Sequence, residues 1–139
     1  MAQVKFRFAR NDSRTADSRR DALAFGKRGE EMAARYLESQ GYIIIEHNYR
    51  KGHLEIDLIA LDGDELVVVE VKTRSGDTVA EPEESVVHKK RLSLIRLANQ
   101  YARSHGRTES IRLDVVAIVS NDNGTEFNHI KNAFNVMRF

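Results

Sequence analysis

The chain has 139 residues, 41% hydrophobic and 31% charged, with a formal net charge of +1. That length suits one ordinary domain with a real core, and the apolar content excludes a disordered chain. No apolar run approaches the roughly 18 residues needed to span a bilayer, and the absence of cysteine excludes disulfides and thiolate metal sites. Near-neutrality leaves any nucleic-acid surface to local clustering of basic groups. No apolar core follows Lys5, Arg7, Arg10 and Arg14 as a secretory signal requires, so a cytoplasmic, non-membrane protein is expected.

Residues 1–20 mix six basic residues with Asp12 and Asp17 without sustained periodicity, and read as a flexible basic arm ahead of a single domain over 21–139. From Ala22 to Gln40 the pattern is helical, with Met32, Ala33, Tyr36 and Leu37 on one face and Gly41 as the stop. Tyr42 to Glu46, Leu54 to Leu61 and Leu66 to Val71 are strand-like runs. The last two are separated by Asp62-Gly63-Asp64-Glu65, a hairpin signal. After a polar loop with Gly76 and Pro82, a second helix is expected over Ser85 to Ser104. Ile111 to Val119 forms a fourth strand, and a further short segment centres on Phe127 to Ile130. The order αβββαβ argues for an α/β fold with a mixed central sheet flanked by helices, the fourth strand lying parallel to the third across a right-handed crossover.

Side chains alternate across a strand, so Glu70 and Lys72 share one face of their strand, and Glu55, Asp57 and Ile59 share one face of the strand before it. If 61 pairs with 66, Asp57 falls directly opposite Glu70. Like charges so placed are destabilising, which calls for a cation. Lys72 supplies part of that charge, and Mg²⁺ or Mn²⁺ held by Asp57 and Glu70 supplies the rest. Such a site has the parts for phosphodiester hydrolysis, with Lys72 orienting water or stabilising developing charge. Glu30 sits on the helix face of Ala33 and Leu37, where it adds an outer carboxylate. Lys90 precedes Leu94, Leu97 and Tyr101 at helical spacing, and Lys90 and Arg74 are the candidate phosphate contacts. Taken singly, each has a plainer reading: a polar hairpin face for Asp57, a same-strand ion pair for Glu70 and Lys72, and an edge charge for Glu30.

Lys89, Arg96 and Arg103 recur every seven residues as a basic stripe on the second helix, for which a solvated face is the default. His47, His53, His88, His105 and His129 show no paired metal-ligand spacing and read as incidental, with at most a proton-shuttle role for His53.

Gly26-Lys-Arg-Gly29-Glu30 at a helix opening, Glu55-Ile-Asp57-Leu-Ile-Ala60, Val69-Glu70-Val71-Lys72-Thr-Arg74, Lys90, and His129-Ile-Lys-Asn-Ala-Phe134 resemble the bacterial YraN-like (UPF0102) family over residues 22–134. The resemblance implies a restriction-endonuclease-like fold of the PD-(D/E)xK superfamily, with Glu30, Asp57, Glu70 and Lys72 as the site and Lys90 as an auxiliary residue. Leu54 stands where the family usually has Gly, and Ile56 where the superfamily has Pro. The expected activity is metal-dependent endonuclease cleavage, on branched or damaged DNA ahead of RNA, in a protein that is a homodimer by analogy with resolvases. The alternatives are a non-cleaving nucleic-acid-binding module of the same fold and an interaction protein with a structural charged pocket.

Overall fold

Two hydrophobic periods organise the chain in the computed structural model, which describes residues 2–6, 18–75 and 84–133. The strands are β1 (Ala2–Phe6), β2 (Ile43–Lys51), β3 (Leu54–Asp62), β4 (Glu65–Ser75), β5 (Ser110–Asn121) and β6 (Gly124–Ile130); the helices are α1 (Ser18–Ser39) and α2 (Glu84–Ser104). The expected run αβββαβ is present from α1 to β5, with one strand before it and one after. All six strands join in one sheet of order β1-β6-β5-β4-β3-β2. Among the described strands only the β4–β5 pair is parallel, and α2 makes the crossover between them. Among the described residues no helix is long and apolar enough to cross a membrane.

The β3–β4 hairpin closes on the two residues Gly63 and Asp64, with Asp62 opposite Glu65 and Leu61 opposite Leu66. Gly63 takes a φ of 60°, which a two-residue turn of this kind requires at its first position. Helix α1 ends at Gly41 as expected, where the Tyr42 N–H donates to the Leu37 carbonyl at 3.0 Å.

Each helix covers one face of the sheet. On the α1 side Ala33, Tyr36 and Leu37 pack with Leu58, Ala60, Val67, Val69, Val116, Ile118 and Phe127. The Tyr36 and Phe127 rings stack with centroids 5.1 Å apart. On the α2 side Leu94, Leu97, Ala98 and Tyr101 pack with Ile56, Ile59, Leu66, Val68, Leu113 and Val115.

Three expectations change. Ala2–Phe6, assigned to a flexible arm, pairs antiparallel with β6 from Ala2↔His129 to Phe6↔Thr125; the period-2 pattern Ala-Gln-Val-Lys-Phe is the signal that the neighbouring charges hid. The rest of that arm up to 17, the loop holding Gly76 and Pro82, and Phe134 lie outside the described residues. Helix α1 starts at Ser18, so the Gly26-to-Glu30 motif lies within it instead of opening it.

His129 is not incidental. It is 1% exposed, and its Nε2 donates to Asp114, itself fully buried, at 2.8 Å. A carboxylate only accepts, so Nε2 carries the proton and Nδ1 faces the Tyr36 hydroxyl at 3.3 Å. Asp114 also accepts from Arg112 (2.9 and 3.0 Å), the Tyr42 hydroxyl (2.9 Å) and the Asn132 amide (3.0 Å). Arg112 continues to Asp62 (2.9 Å) and Glu65 (3.0 Å), tying the β3–β4 turn to β5, β6 and the α1–β2 junction.

Candidate metal centre

Strand β3 inverts its faces at Asp57. Leu54 and Ile56 pack on the α2 side, as do Ile59 and Leu61, whereas Leu58 and Ala60 pack on the α1 side. Strict alternation would place 54, 56, 58 and 60 together. The backbone ladder records the same break. Pairing of β3 with β4 runs from Asp62↔Glu65 to Leu58↔Val69 and goes no further. On the other edge the register passes from His47↔Leu58 to Tyr49↔Ile56, leaving out Asn48, which has a φ of 51°. The Asp57 carboxylate instead accepts the Val71 N–H at 2.8 Å, replacing a strand partner with a side chain. The expected ladder pair of Asp57 and Glu70 is therefore absent, and Ile59 does not share the face of Glu55 and Asp57. The cause is local: the inversion occurs just where β3 leaves β4.

With Leu54 and Ile56 turned toward α2, Glu55 and Asp57 lie on the α1 side, where Glu30 meets them. One carboxylate oxygen from each of Glu30, Glu55 and Asp57 lies within 4.8 Å of the others. Helix α1 comes this close because residue 29 is glycine: a β-carbon there would overlap the Thr73 methyl of β4. Burial pushes the Asp57 carboxyl up to about 6; the Val71 amide opposes the rise, Glu30 and Glu55 add to it, and Lys90 opposes it. Burial raises Glu30 as well, against a hydrogen bond from Asn48. Glu55 is paired to Arg50 at 2.9 Å on its exposed side. Three crowded, partly desolvated oxygen donors are the kind of set a hard divalent cation takes, with Arg50 meeting part of their charge.

Glu70 lies outside that cluster. Its carboxylate is 6% exposed, with Lys90 Nζ 3.4 Å from Oε1 and Arg91 Nε 3.5 Å from Oε2. Neither Oε2 nor Arg91 Nε has a hydrogen-bond partner, so the buried pair is loosely held. Lys90 remains 60% exposed while Arg91 is 15% exposed, so the cation buried beneath the α2 stripe is Arg91. The stripe held that signal, since Arg91 precedes Leu94 by three and Ala98 by seven. Lys72 and Arg74 follow Glu70 at two-residue steps and are half-buried. His53 is exposed. Of the residues singled out from the sequence, the structure brings Glu30 and Asp57 together; Glu55 as their third neighbour and Arg91 as a neighbour of Glu70 were missed.

The profile of the uncharacterised protein family UPF0102 matches residues 29–118, which takes in all four carboxylates, Lys72, Lys90 and Arg91. A UPF0102 protein of Bacteroides thetaiotaomicron is 41% identical over 109 residues, covering 78% of this chain and 90% of the relative. One from Rhodococcus jostii is 43% identical over 114 residues, covering 81% and 97%. A third, from an Arthrobacter species, is 48% identical over 100 residues, covering 71% and 85%. With a matching profile over more than half its length and relatives of this similarity across most of theirs, the chain belongs to the UPF0102 family.

Proposed function

We propose that this protein is a Mg²⁺- or Mn²⁺-dependent nuclease hydrolysing nucleic-acid phosphodiester bonds, with branched or damaged DNA as the favoured substrate. The observation that carries the reading is the cluster of Glu30, Glu55 and Asp57 at the point where β3 leaves β4. Asp57, Glu30 and Glu55 would hold the ion, whereas Glu70 turns with Leu66 and Val68 to the α2 side of the sheet, against Lys90 and Arg91. When bound, such an ion supplies Lewis acidity toward a phosphoryl oxygen and lowers the pKa of water.

The remaining roles fall to the chain's own groups. Lys72, next along β4 to the Val71 amide that holds Asp57, orients the attacking water and meets the negative charge that grows on the phosphoryl oxygens. Lys90, exposed beside Glu70, and Arg74, farther along β4, contact flanking phosphates. The water oxygen forms the new bond to phosphorus as one ester oxygen leaves with a proton.

The test is incubation of purified protein with end-labelled single-stranded, duplex and four-way-junction DNA in Mg²⁺ or Mn²⁺. Cleavage is expected, falling by about a hundredfold or more in Asp57→Asn, as is typical when a group stabilising the transition state is lost. Cleavage at the wild-type rate in that variant, or none with either ion, overturns the proposal. Salt-sensitive binding without cleavage would instead identify a non-cleaving module.

A further inference from the structure

The outward face of α2 carries a row of positive charge with no ion-pair partner among the described residues. Between residues 85 and 108 there are six basic residues and no acidic one, in a chain with 21 acidic residues and a net charge of only +1. Lys90 and Arg91 face Glu70, and Arg107 is taken up by Glu109 at 2.9 Å. Lys89, Arg96 and Arg103 are exposed, and make no ion pair with any described residue. Leu94, Leu97, Ala98 and Tyr101 fix the opposite side of the helix against the sheet, so these three point away from the core.

Their spacing suits one class of partner. Seven residues are close to two helical turns, so 89, 96 and 103 form a nearly straight row with steps of about 10.5 Å. A regularly spaced row of cations suits a polyanion, and a nucleic-acid backbone carries one negative charge per nucleotide along its length. Exposed Asn99 and Gln100 flank it with neutral donors. A helix lying on a membrane turns its apolar face to the lipid, and the apolar face of α2 is already buried against the sheet. A protein face that paired with an ordinary helix would meet charges of mixed sign.

We propose that this ridge is a rail for a nucleic-acid backbone, Lys89, Arg96 and Arg103 each holding a phosphate of a strand that runs about 21 Å along α2, away from the acidic centre. The rail takes a flank of the bound strand and not the reacting phosphate itself. It rests on the nuclease reading only for where that reacting phosphate sits.

The experiment uses full-length protein carrying Asp57→Asn, so that binding is measured without cleavage, and titrates it into labelled 20-base-pair DNA across a salt series by fluorescence anisotropy. Adding Lys89→Gln, Arg96→Gln and Arg103→Gln together is expected to make the slope of log K against log salt shallower by about 2 to 3. Removing equal charge elsewhere, with Arg28→Gln, Arg35→Gln and Lys131→Gln, is expected to leave most of the slope in place. An unchanged slope in the α2 variant, an equal loss in the control variant, or loss of binding only to polyglutamate or anionic vesicles overturns the rail. The two readings fail separately. No cleavage by the unsubstituted protein, with the α2 effect intact, removes the nuclease and leaves the rail. With Asp57 retained, cleavage at an unchanged KM by protein carrying the three α2 substitutions removes the rail and leaves the nuclease.

Discussion

Asp57 is held in place by a backbone donor, the Val71 amide, while two other carboxylates crowd it. Its carboxyl is raised to about 6 from an ordinary value near 3.8, first by burial and then by Glu30 and Glu55. The fold therefore prefers the protonated group. Stability from Asp57 is complete below about pH 4 and is lost as pH rises through about 6, a loss of about 3 kcal/mol by neutral pH. Asparagine keeps an oxygen for the Val71 amide and carries no charge. In metal-free buffer at pH 7.5, Asp57→Asn is expected to raise unfolding stability by about 1–3 kcal/mol in a urea titration, with no gain at pH 4. Adding Mn²⁺ is expected to stabilise the unsubstituted protein and not the variant. A variant less stable than its parent at pH 7.5 would show that the Asp57 carboxylate is already well solvated.

At the scale of the element, the site depends on how closely α1 lies on β4, and Gly29 sets that approach. Alanine there gains about 1 kcal/mol of helix propensity but meets a β-branched Thr73 in a packed sheet. The overlap costs about 1–3 kcal/mol, so Gly29→Ala is expected to lower stability and weaken metal binding, since Glu30 moves with the helix. Thr73→Ala in the same chain is expected to restore both; a double-mutant cycle with no coupling between the two positions would rule the contact out. The pattern of elements shows how far the sequence could be read. Periodicity located the helices and the hairpin register, and through them Glu30 and Asp57. It failed where period 2 itself fails: the face inversion at Asp57 removed the expected pairing with Glu70 and brought Glu55 in. Helical spacing also picked out Lys90 where Arg91 is the more buried cation, because neighbouring residues on a helix differ by only a fraction of a turn. Arg112 and Asp114 were hidden inside the apolar run Ile111 to Val119, although two opposite charges two residues apart share a strand face.

Across the whole molecule, two buried aspartates bias the fold in opposite directions with pH. Burial alone would raise Asp114, but His129, Arg112 and the Asn132 amide hold its carboxyl well below the usual range. Its contribution is present above about pH 4 and declines as acid protonates the unfolded chain, whereas that of Asp57 declines on the alkaline side. Between them the metal-free protein gains most from these two groups near pH 4. Asp114 also joins the β3–β4 turn, β5, β6 and the α1–β2 junction through Arg112, Tyr42 and His129, so its loss leaves Arg112 poorly compensated in the interior. Asp114→Asn is expected to cost about 3–5 kcal/mol in urea unfolding near pH 5 to 7. The gap from the parent protein should narrow by about 1 kcal/mol by pH 3, since the unfolded aspartate is then largely protonated and the native one is not. A gap independent of pH would mean that the substituted amide fails for shape and not for charge. Because this network lies toward the hairpin turn, and the acidic cluster where β3 parts from β4, residual folded Asp114→Asn protein should bind Mn²⁺ with nearly the parent affinity.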